Sequence, residues 1–208
     1  MSQGYKIVRL DFIVEQLGES ETKQYLRDFI SPLNKDVEDF LYNKAIEFSK
    51  QGIAKTHLVI ASFQNEDKIA GYFALSGNKF FTIKAKSKAI SGKMRSRISR
   101  FGQYDDDLKQ YFISVPLIGQ LGKNYNYPSL ITGDELLELA CSRIKEVQLD
   151  MGGRFVYLEC EPISKLCDFY ERNGFVVFGE RELDGDERGF EHQTLLQLLK
   201  YLDPKRIR

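Results

Sequence analysis

FYERNGF at residues 169–175 is the stretch that decides the fold. Its aromatic pair suits the last turn of a helix, and its glycine suits the position just after a helix C-terminus. Upstream, LIGQLG at 117–122 is typical of a strand, and a polar loop at 123–132 leads into an amphipathic helix that begins at Gly133. A second strand at 155–160 then precedes the helix that ends in the quoted stretch.

This order of strand, loop, helix, strand and helix ending in Phe-Tyr-x-x-x-Gly-Phe resembles the GNAT superfamily of acetyl-CoA-dependent N-acetyltransferases. The resemblance implies an α/β (α+β) fold with a mixed, mostly antiparallel central sheet, a splayed strand pair and helices on both faces. The element order of the second half also predicts a mixed sheet covered by helices. We expect residues 1–208 to form one acetyltransferase-like domain with a basic insertion at about 79–109.

Composition excludes several other classes of protein. Thirty basic and thirty acidic residues cancel, so net charge alone predicts no partner. No apolar run approaches the ~18 residues of a membrane span, and the polar start predicts no secretion signal. Cys141, Cys160 and Cys167 lack metal-ligand spacing, so we expect buried free thiols, no metal and a cytoplasmic protein.

The rest of the chain predicts a regular series of elements. Those of the first half are a strand at 5–10, a helix from 20 or 21 to 30, a helix from Ser31-Pro32 to Gly52, and a hairpin of strands 57–63 and 68–76 joined by a polar turn at 64–67. Those of the second half are a strand at 110–121, a helix at 133–150 burying Leu136, Leu137, Ala140, Ile144 and Val147, a helix from Pro162 to Asn173, and strands 175–182 and 194–202 joined by a charged turn at 184–189.

The segment from Lys79 to Arg100 carries eight basic residues and no acidic one. Ile90, Met94, Ile98 and Phe101 recur within and just after it at helical spacing, which predicts a helix with an apolar stripe. The basic side chains are either a phosphate-binding surface or a solvated helix face.

The GNAT resemblance implies a cofactor, acetyl-CoA. In that superfamily a Gln/Arg-x-x-Gly-x-Gly/Ala loop offers backbone N–H groups to the pyrophosphate at a helix start. PSLITG at 128–133 occupies this position, with proline and isoleucine replacing the first two conserved residue types. The resemblance therefore assigns the pyrophosphate to Ser129, Leu130, Ile131, Thr132 and Gly133, and the pantetheine amides to the backbone of Leu121 and Lys123. An ordinary strand-to-helix turn capped by Thr132 is the alternative.

The resemblance also assigns catalytic residues. Tyr170 occupies the position of the tyrosine that protonates the departing thiolate, and a phenol with pKa ~10 is still protonated at neutral pH. A backbone N–H near Leu121 is expected to hold the oxyanion. The alternative for Tyr170 is a half-buried aromatic that packs its helix on the sheet.

A general base is harder to assign from the sequence. Glu159 and Glu161 are candidates near the end of their strand, and solvated carboxylates or partners of Lys165 are the alternative. An α-amino group has pKa ~7.7–8.0 against ~10.4 for lysine, so an α-amine is partly neutral already. A site without a base therefore favours an α-amine as acceptor.

The layout is nearest to the toxin-type acetyltransferases of bacterial toxin–antitoxin pairs, which acetylate aminoacyl-tRNA. That resemblance implies a tRNA acceptor, a surface including Lys93, Arg95 and Arg97 that binds it, and an antitoxin partner or a homodimer. A small-molecule or protein amine remains an alternative acceptor. A non-catalytic GNAT-fold binding domain with a degenerate cofactor loop is the alternative function.

Overall fold

The computed structural model describes residues 4–183 and 192–203, so the predicted turn at 184–189 lies outside the described residues. The chain divides into two compact units. The first unit contains Met1–Ser76 and Ile118–Ala140, and the second contains Gly77–Leu117 and Cys141–Arg208. No helix in the described ranges is both long enough and apolar enough to cross a membrane.

The described elements are those of a mixed α/β protein. Its helices are α1 (Leu10–Leu17), α2 (Glu19–Leu26), α3 (Lys35–Asp39), a π-helical turn (Phe40–Lys44), α4 (Ala45–Gln51), α5 (Gly92–Phe101), α6 (Gly133–Met151) and α7 (Ser164–Arg172). Its strands are β1 (Lys6–Arg9), β2 (Lys55–Phe63), β3 (Glu66–Lys84), β4 (Gln103–Asp105), β5 (Gln110–Lys123), β6 (Phe155–Cys160), β7 (Val176–Glu182) and β8 (Thr194–Tyr201).

The strands are hydrogen-bonded in the order β1-β2-β3-β5-β6-β8-β7, with β4 on β5. The β1–β2, β2–β3, β4–β5, β6–β8 and β7–β8 pairs are antiparallel. β5 and β6 are parallel and share one register position, Leu117 opposite Tyr157. The predicted mixed, mostly antiparallel sheet is therefore confirmed, and so short a parallel ladder is consistent with a splayed pair.

The first unit packs α1 to α4 and the π-helical turn around a core that includes Leu10, Phe29, Leu41 and Tyr72. The first strand was expected to reach residue 10, but α1 begins there because Leu10 and its helical neighbours face this core. The next helix was predicted to begin at Ser31, but Ser31 is not its cap. Asn34 is the cap, and its side chain accepts hydrogen bonds from the N–H groups of the first turn.

The predicted hairpin is present with a tighter turn and a longer second strand. Gln64 and Asn65 both have positive φ, and Phe63 pairs directly with Glu66, so the connection has two residues rather than four. β3 continues to Lys84 instead of ending at Ser76. The basic segment therefore begins inside a strand.

The second unit has a core of its own. Ile90, Met94 and Ile98 are buried in it together with Phe155 and Leu199, as predicted for the apolar stripe of the basic segment. Phe101, the fourth residue of the predicted stripe, is instead 45% exposed. Other residues in the same core include Phe81, Ile83, Ile113, Val115, Tyr157 and Phe178. Val147 was expected to be buried but is 43% exposed.

β3 and β5 approach each other closely in the first unit, at Gly71 and Gly122. A Cβ on Gly71 would lie 2.8 Å from the Gly122 carbonyl oxygen. A Cβ on Gly122 would overlap Val37 Cγ1 and lie 3.0 Å from ring atoms of Phe29 and Tyr72. Valine has little rotational freedom, so it cannot move aside easily. Glycine at 122 is thus required for α3 to pack against the end of β5.

Gly122→Ala should lower the free energy of unfolding by roughly 1–3 kcal/mol, as overpacking in a dense core does. Gly77→Ala is the matched control, because a Cβ there meets nothing within 4 Å and its effect should stay within about 0.5 kcal/mol. Urea denaturation of the two variants measures this difference. Equal midpoints for Gly122→Ala and the unmodified chain would contradict the packing described.

Candidate functional site

Asn124 anchors the end of β5 in the first unit, and its side chain is fully buried. Its backbone N–H donates to Ala70 O at 2.9 Å, and its Nδ2 donates to Ile69 O at 2.8 Å and Asp28 O at 3.0 Å. Its Oδ1 accepts from Ile30 N at 3.0 Å. The amide therefore ties β5 both to β3 and to the segment that follows α2. Sequence reasoning missed this residue, because a lone asparagine after a strand is an ordinary loop signal.

The next three residues are held by the same segment. Tyr125 N donates to Ile30 O at 2.9 Å, Asn126 Nδ2 to Asp28 O at 2.7 Å, and the Tyr127 hydroxyl to Asp28 Oδ1 at 3.0 Å. The loop that leads to α6 is thus fixed along its first half.

The second half of the loop, 128–133, presents backbone N–H groups near the start of α6. Leu130 N donates to Tyr127 O at 3.1 Å, and Pro128 has no N–H. Within the described ranges, the amides of Ser129, Ile131 and Gly133 donate to no protein acceptor. These are three of the five residues predicted to hold the pyrophosphate. Ile131 is buried and does not adopt positive φ, so the loop accommodates a β-branched residue without strain.

Thr132 and Glu135 form a capping box at the start of α6. Thr132 N and Thr132 Oγ1 both donate to Glu135 Oε2, at 2.8 and 2.7 Å, while Glu135 N donates to Thr132 Oγ1 at 3.2 Å. One predicted pyrophosphate donor, the Thr132 amide, is therefore already bonded to a carboxylate. Thr132 is thus the cap that the alternative interpretation of this loop expected, and Glu135, three residues further on, completes the motif.

The hydrogen bonds of Glu135 lower the pKa of its carboxyl group and so favour its charged form. The hydrogen bond from the Thr132 amide lowers the pKa of its carboxyl group most, and the Thr132 hydroxyl, the nearby Tyr5 hydroxyl and the charge of Lys123 add to this. The Tyr5 hydroxyl donates its hydrogen bond to Leu130 O at 3.1 Å. A carboxylate of the protein thus occupies the helix start that the sequence predicted to hold the pyrophosphate.

Leu121 and Lys123 lie at the end of β5, and both are half-buried. Lys123 Nζ lies 5.9 Å from the ring centroid of Tyr125. These two residues and the five loop residues are close together in the chain and all belong to the first unit. Their roles toward a cofactor stay predictions.

Tyr170 lies in α7 of the second unit. Its ring packs edge-on against Phe169 and Phe175, at centroid distances of 4.9 and 5.8 Å. Gly174 has φ +82° and follows the helix end, as predicted, and Phe175 N donates to Tyr170 O at 3.0 Å. Burial raises the pKa of Tyr170, so the phenol is protonated well beyond neutral pH. In the part of the chain that the structure describes, its hydroxyl makes no hydrogen bond.

Glu159, a candidate base, belongs to a half-buried ion cluster of the second unit. Arg181 donates to both carboxylate oxygens, at 2.9 and 2.7 Å, and Lys79 Nζ lies 3.4 Å away. Burial alone would raise the pKa of Glu159, but hydrogen bonds from Arg181 and Tyr157 and the charge of Lys79 outweigh it and lower the pKa. A carboxylate so stabilised is a poor base at neutral pH.

Glu161, the other candidate, contacts His192 rather than Lys165. Its Oε1 accepts from His192 N at 3.3 Å and lies 3.3 Å from His192 Nδ1. Both glutamates therefore have partners that the sequence did not predict.

The three predicted tRNA contacts on α5 differ in their surroundings. Arg95 donates to Ser87 O at 2.7 Å, and Arg97 stacks on Tyr201 at 3.9 Å from the ring centroid. Lys93 is exposed. Four further basic residues of the segment are also exposed: Lys84, Lys86, Lys88 and Arg100. The solvent-facing charge is therefore carried mainly by residues that the sequence did not single out.

No protein family and no curated protein matches the chain, but solved structures do. AtaT complexed with acetyl-methionyl-tRNAfMet matches with TM-score 0.59 and 15% identity, covering 93% of this chain and 94% of AtaT. A tyrosine mutant of KacT matches with TM-score 0.59 and 14% identity over 94% of each chain. A tyrosine mutant of the AtaT toxin, bound to the C-terminus of the antitoxin AtaR and acetyl-CoA, matches with TM-score 0.55, 15% identity and coverage of 97% and 94%.

These similarities extend over nearly the whole of each chain. The chain therefore has the fold of the GNAT-type toxin acetyltransferases, and the fold that the sequence resemblance implied is confirmed.

Glu135→Gln should tighten the binding of CoA by roughly two- to fivefold, because charges at a helix start contribute about 0.3–1 kcal/mol. Glutamine also serves in capping boxes, so the helix start should be kept. Glu138→Gln, an exposed site one turn further along α6, is the matched control. Calorimetric titration with CoA measures the change. Unchanged or weaker binding in Glu135→Gln, with unchanged thermal stability, would contradict competition between the carboxylate and the phosphate.

Proposed function

We propose that this chain is an acetyl-CoA-dependent N-acetyltransferase whose acceptor is the α-amine of aminoacyl-tRNA. The observation that carries the proposal is the set of unused N–H groups of Ser129, Ile131 and Gly133 at the start of α6. Amides converging at a helix N-terminus bind a pyrophosphate without side-chain charge. The similar AtaT structure with acetyl-CoA supports the same cofactor here.

In the proposed reaction, the amine nitrogen attacks the thioester carbon, and the backbone N–H near Leu121 stabilises the oxyanion. The C–S bond then breaks, and the Tyr170 hydroxyl donates its proton to the departing thiolate. Burial raises the pKa of Tyr170, so its phenol stays protonated and able to donate at every physiological pH. Leu121 and Lys123 would hold the pantetheine amides through their backbone.

The acceptor is proposed from charge and from similarity. The exposed lysines Lys86, Lys88 and Lys93 belong to one basic segment without an acidic residue, which fits a phosphate backbone. The AtaT structure with acetyl-methionyl-tRNAfMet supports an aminoacyl-tRNA. We further propose a cytoplasmic reaction and an antitoxin protein as partner, as for AtaT with AtaR.

A second function is favoured by one observation, the carboxylate of Glu135 at the predicted phosphate site. A domain that kept the fold but lost the cofactor would tolerate an anion there. Such a domain would bind a partner without catalysis, and acetyl-CoA would produce neither heat nor a thermal shift.

Tyr170→Phe should lower kcat by roughly 10²- to 10⁴-fold, the usual contribution of a general acid, and leave the Kd for acetyl-CoA unchanged. Tyr104→Phe, which alters an exposed tyrosine, is the control. Because burial raises the pKa of Tyr170, the unmodified chain should show no alkaline loss of activity up to about pH 10, where an ordinary tyrosine begins to ionise. Release of free CoA, followed under single-turnover conditions, measures both the effect of the substitution and the pH dependence. A fully active Tyr170→Phe variant would exclude the catalytic role.

The tRNA acceptor predicts strong dependence on salt. If Lys86, Lys88 and Lys93 each hold a phosphate, kcat/KM for a pool of aminoacyl-tRNA should fall roughly 40-fold between 50 and 200 mM salt. Changing all three to glutamate should weaken the reaction and reduce the salt slope by about one per lost contact. The same charge change at Lys6, Lys35 and Lys44 is the control, and all three of these are exposed. Equal losses of activity in both triple variants would show that net charge, and not contacts of these three lysines, is responsible. Acetylation of a small amine at a rate independent of salt would show that the acceptor is a small molecule and not tRNA.

A further inference from the structure

Asp36 places a carboxylate beside the end of β5. Its Oδ2 accepts a hydrogen bond from Gln120 Nε2 at 2.9 Å, across 84 residues of sequence. Gln120 directly precedes Leu121, the residue whose N–H is proposed to hold the oxyanion. Asp36 itself lies in the first turn of α3, which is fixed by the Asn34 cap. The half-buried carboxylate is therefore held by an ordered helix start on one side and by the strand on the other.

This carboxylate lies on the face of the strands opposite α6. Along β3 the side chains alternate, so Gly71 and Tyr72 face opposite ways. A Cβ on Gly71 would contact Leu136 of α6, whereas the Tyr72 hydroxyl donates to Val37 O of α3. The helix start proposed for the pyrophosphate and the Asp36 carboxylate thus flank the strands from two sides of the first unit.

One oxygen of Asp36 remains available to a ligand. A carboxylate is an acceptor for several N–H donors, and Gln120 uses only Oδ2. Among residues 4–183 and 192–203, no hydrogen bond to Oδ1 is present. Glu159, in contrast, is bonded through both oxygens to Arg181. Asp36 is therefore better suited than Glu159 to receive a cationic or N–H-bearing substrate group.

We propose that Asp36 is the residue that binds the acceptor amine and accepts its proton, with Gln120 as the positioning residue. This inference rests on the proposed acetyl transfer. The amine nitrogen forms a bond to the thioester carbon and becomes positively charged, while the carbonyl electron pair moves to oxygen. The nitrogen then gives a proton to Asp36 Oδ1 as the C–S bond breaks, and the thiolate takes its proton from Tyr170. The proton on Asp36 leaves to solvent and the Tyr170 phenolate regains one, so the products are an amide and a thiol.

The assignment also identifies the substrate class as a primary amine that approaches the face opposite α6. A negative charge there stabilises the positive nitrogen of the intermediate, which a neutral residue cannot do. It supplies the base that the sequence left unassigned, because the carboxylate comes from α3 and not from β5 itself.

Asp36→Asn should lower kcat by roughly 100-fold or more with two acceptor probes, glycinamide and a pool of aminoacyl-tRNA, while the Kd for acetyl-CoA stays unchanged. Asp39→Asn is the matched control, because Asp39 is an exposed aspartate of the same helix. Gln120→Ala should have a smaller effect of about tenfold, since it removes only the orienting hydrogen bond.

Chemical rescue by an added carboxylate distinguishes a chemical role of Asp36 from a structural one. Added formate should restore part of the activity of Asp36→Ala, because a small carboxylate can enter the vacated position, and should not affect Asp39→Ala. Calorimetry with acetyl-CoA checks that each variant is folded.

The outcomes distinguish this inference from the proposed function. A wild-type chain that binds no acetyl-CoA, or acetylates neither probe, overturns the proposed function and the inference with it. Transfer by the wild type with equal rates in Asp36→Asn, or an Asp36→Ala variant that binds acetyl-CoA but is not rescued by formate, overturns the inference alone.

Discussion

The buried amide of Asn124 is the interaction on which the rest of the candidate site depends. Its donors and acceptor connect the end of β5 to β3 and to the segment after α2. Each of these hydrogen bonds contributes about 0.5–1.5 kcal/mol net, and leaving any of the buried partners unpaired would cost more. Because Asn124 directly follows the strand end, it fixes where β5 stops and where the loop toward α6 begins. The free amides of Ser129, Ile131 and Gly133 depend on that fixed starting point.

The start of α6 combines two opposing electrostatic features. The helix dipole and the unused N–H groups attract an anion, whereas the carboxylate of Glu135 is already bound to the Thr132 amide. The capping box stabilises the helix start, and under the proposed function the same contact would compete with the pyrophosphate. A loop built in this way would bind CoA more weakly than one with every amide free. This balance explains how the fold can be retained while Ile131 replaces the first glycine expected of the loop.

The parts of the fold that were predictable from sequence are those encoded locally. The stretch at 169–175 carries its own helix end, so its structure followed from residue order alone. The helix beginning at Leu10 was missed because tertiary packing, and not a cap, decides where it starts. Asn124 gave no signal, since its partners are distant in sequence. The contact between Asp36 and Gln120 likewise spans 84 residues, and no spacing rule relates them.

The central claim is that backbone N–H groups at the start of α6 bind the pyrophosphate of the cofactor. Residue-resolved amide hydrogen exchange, with and without saturating CoA, tests it most directly. The account predicts that CoA slows the exchange of Ser129, Ile131 and Gly133, while Gly77, outside the loop, is unchanged. CoA binding detected by calorimetry without any protection of these three amides would contradict the account.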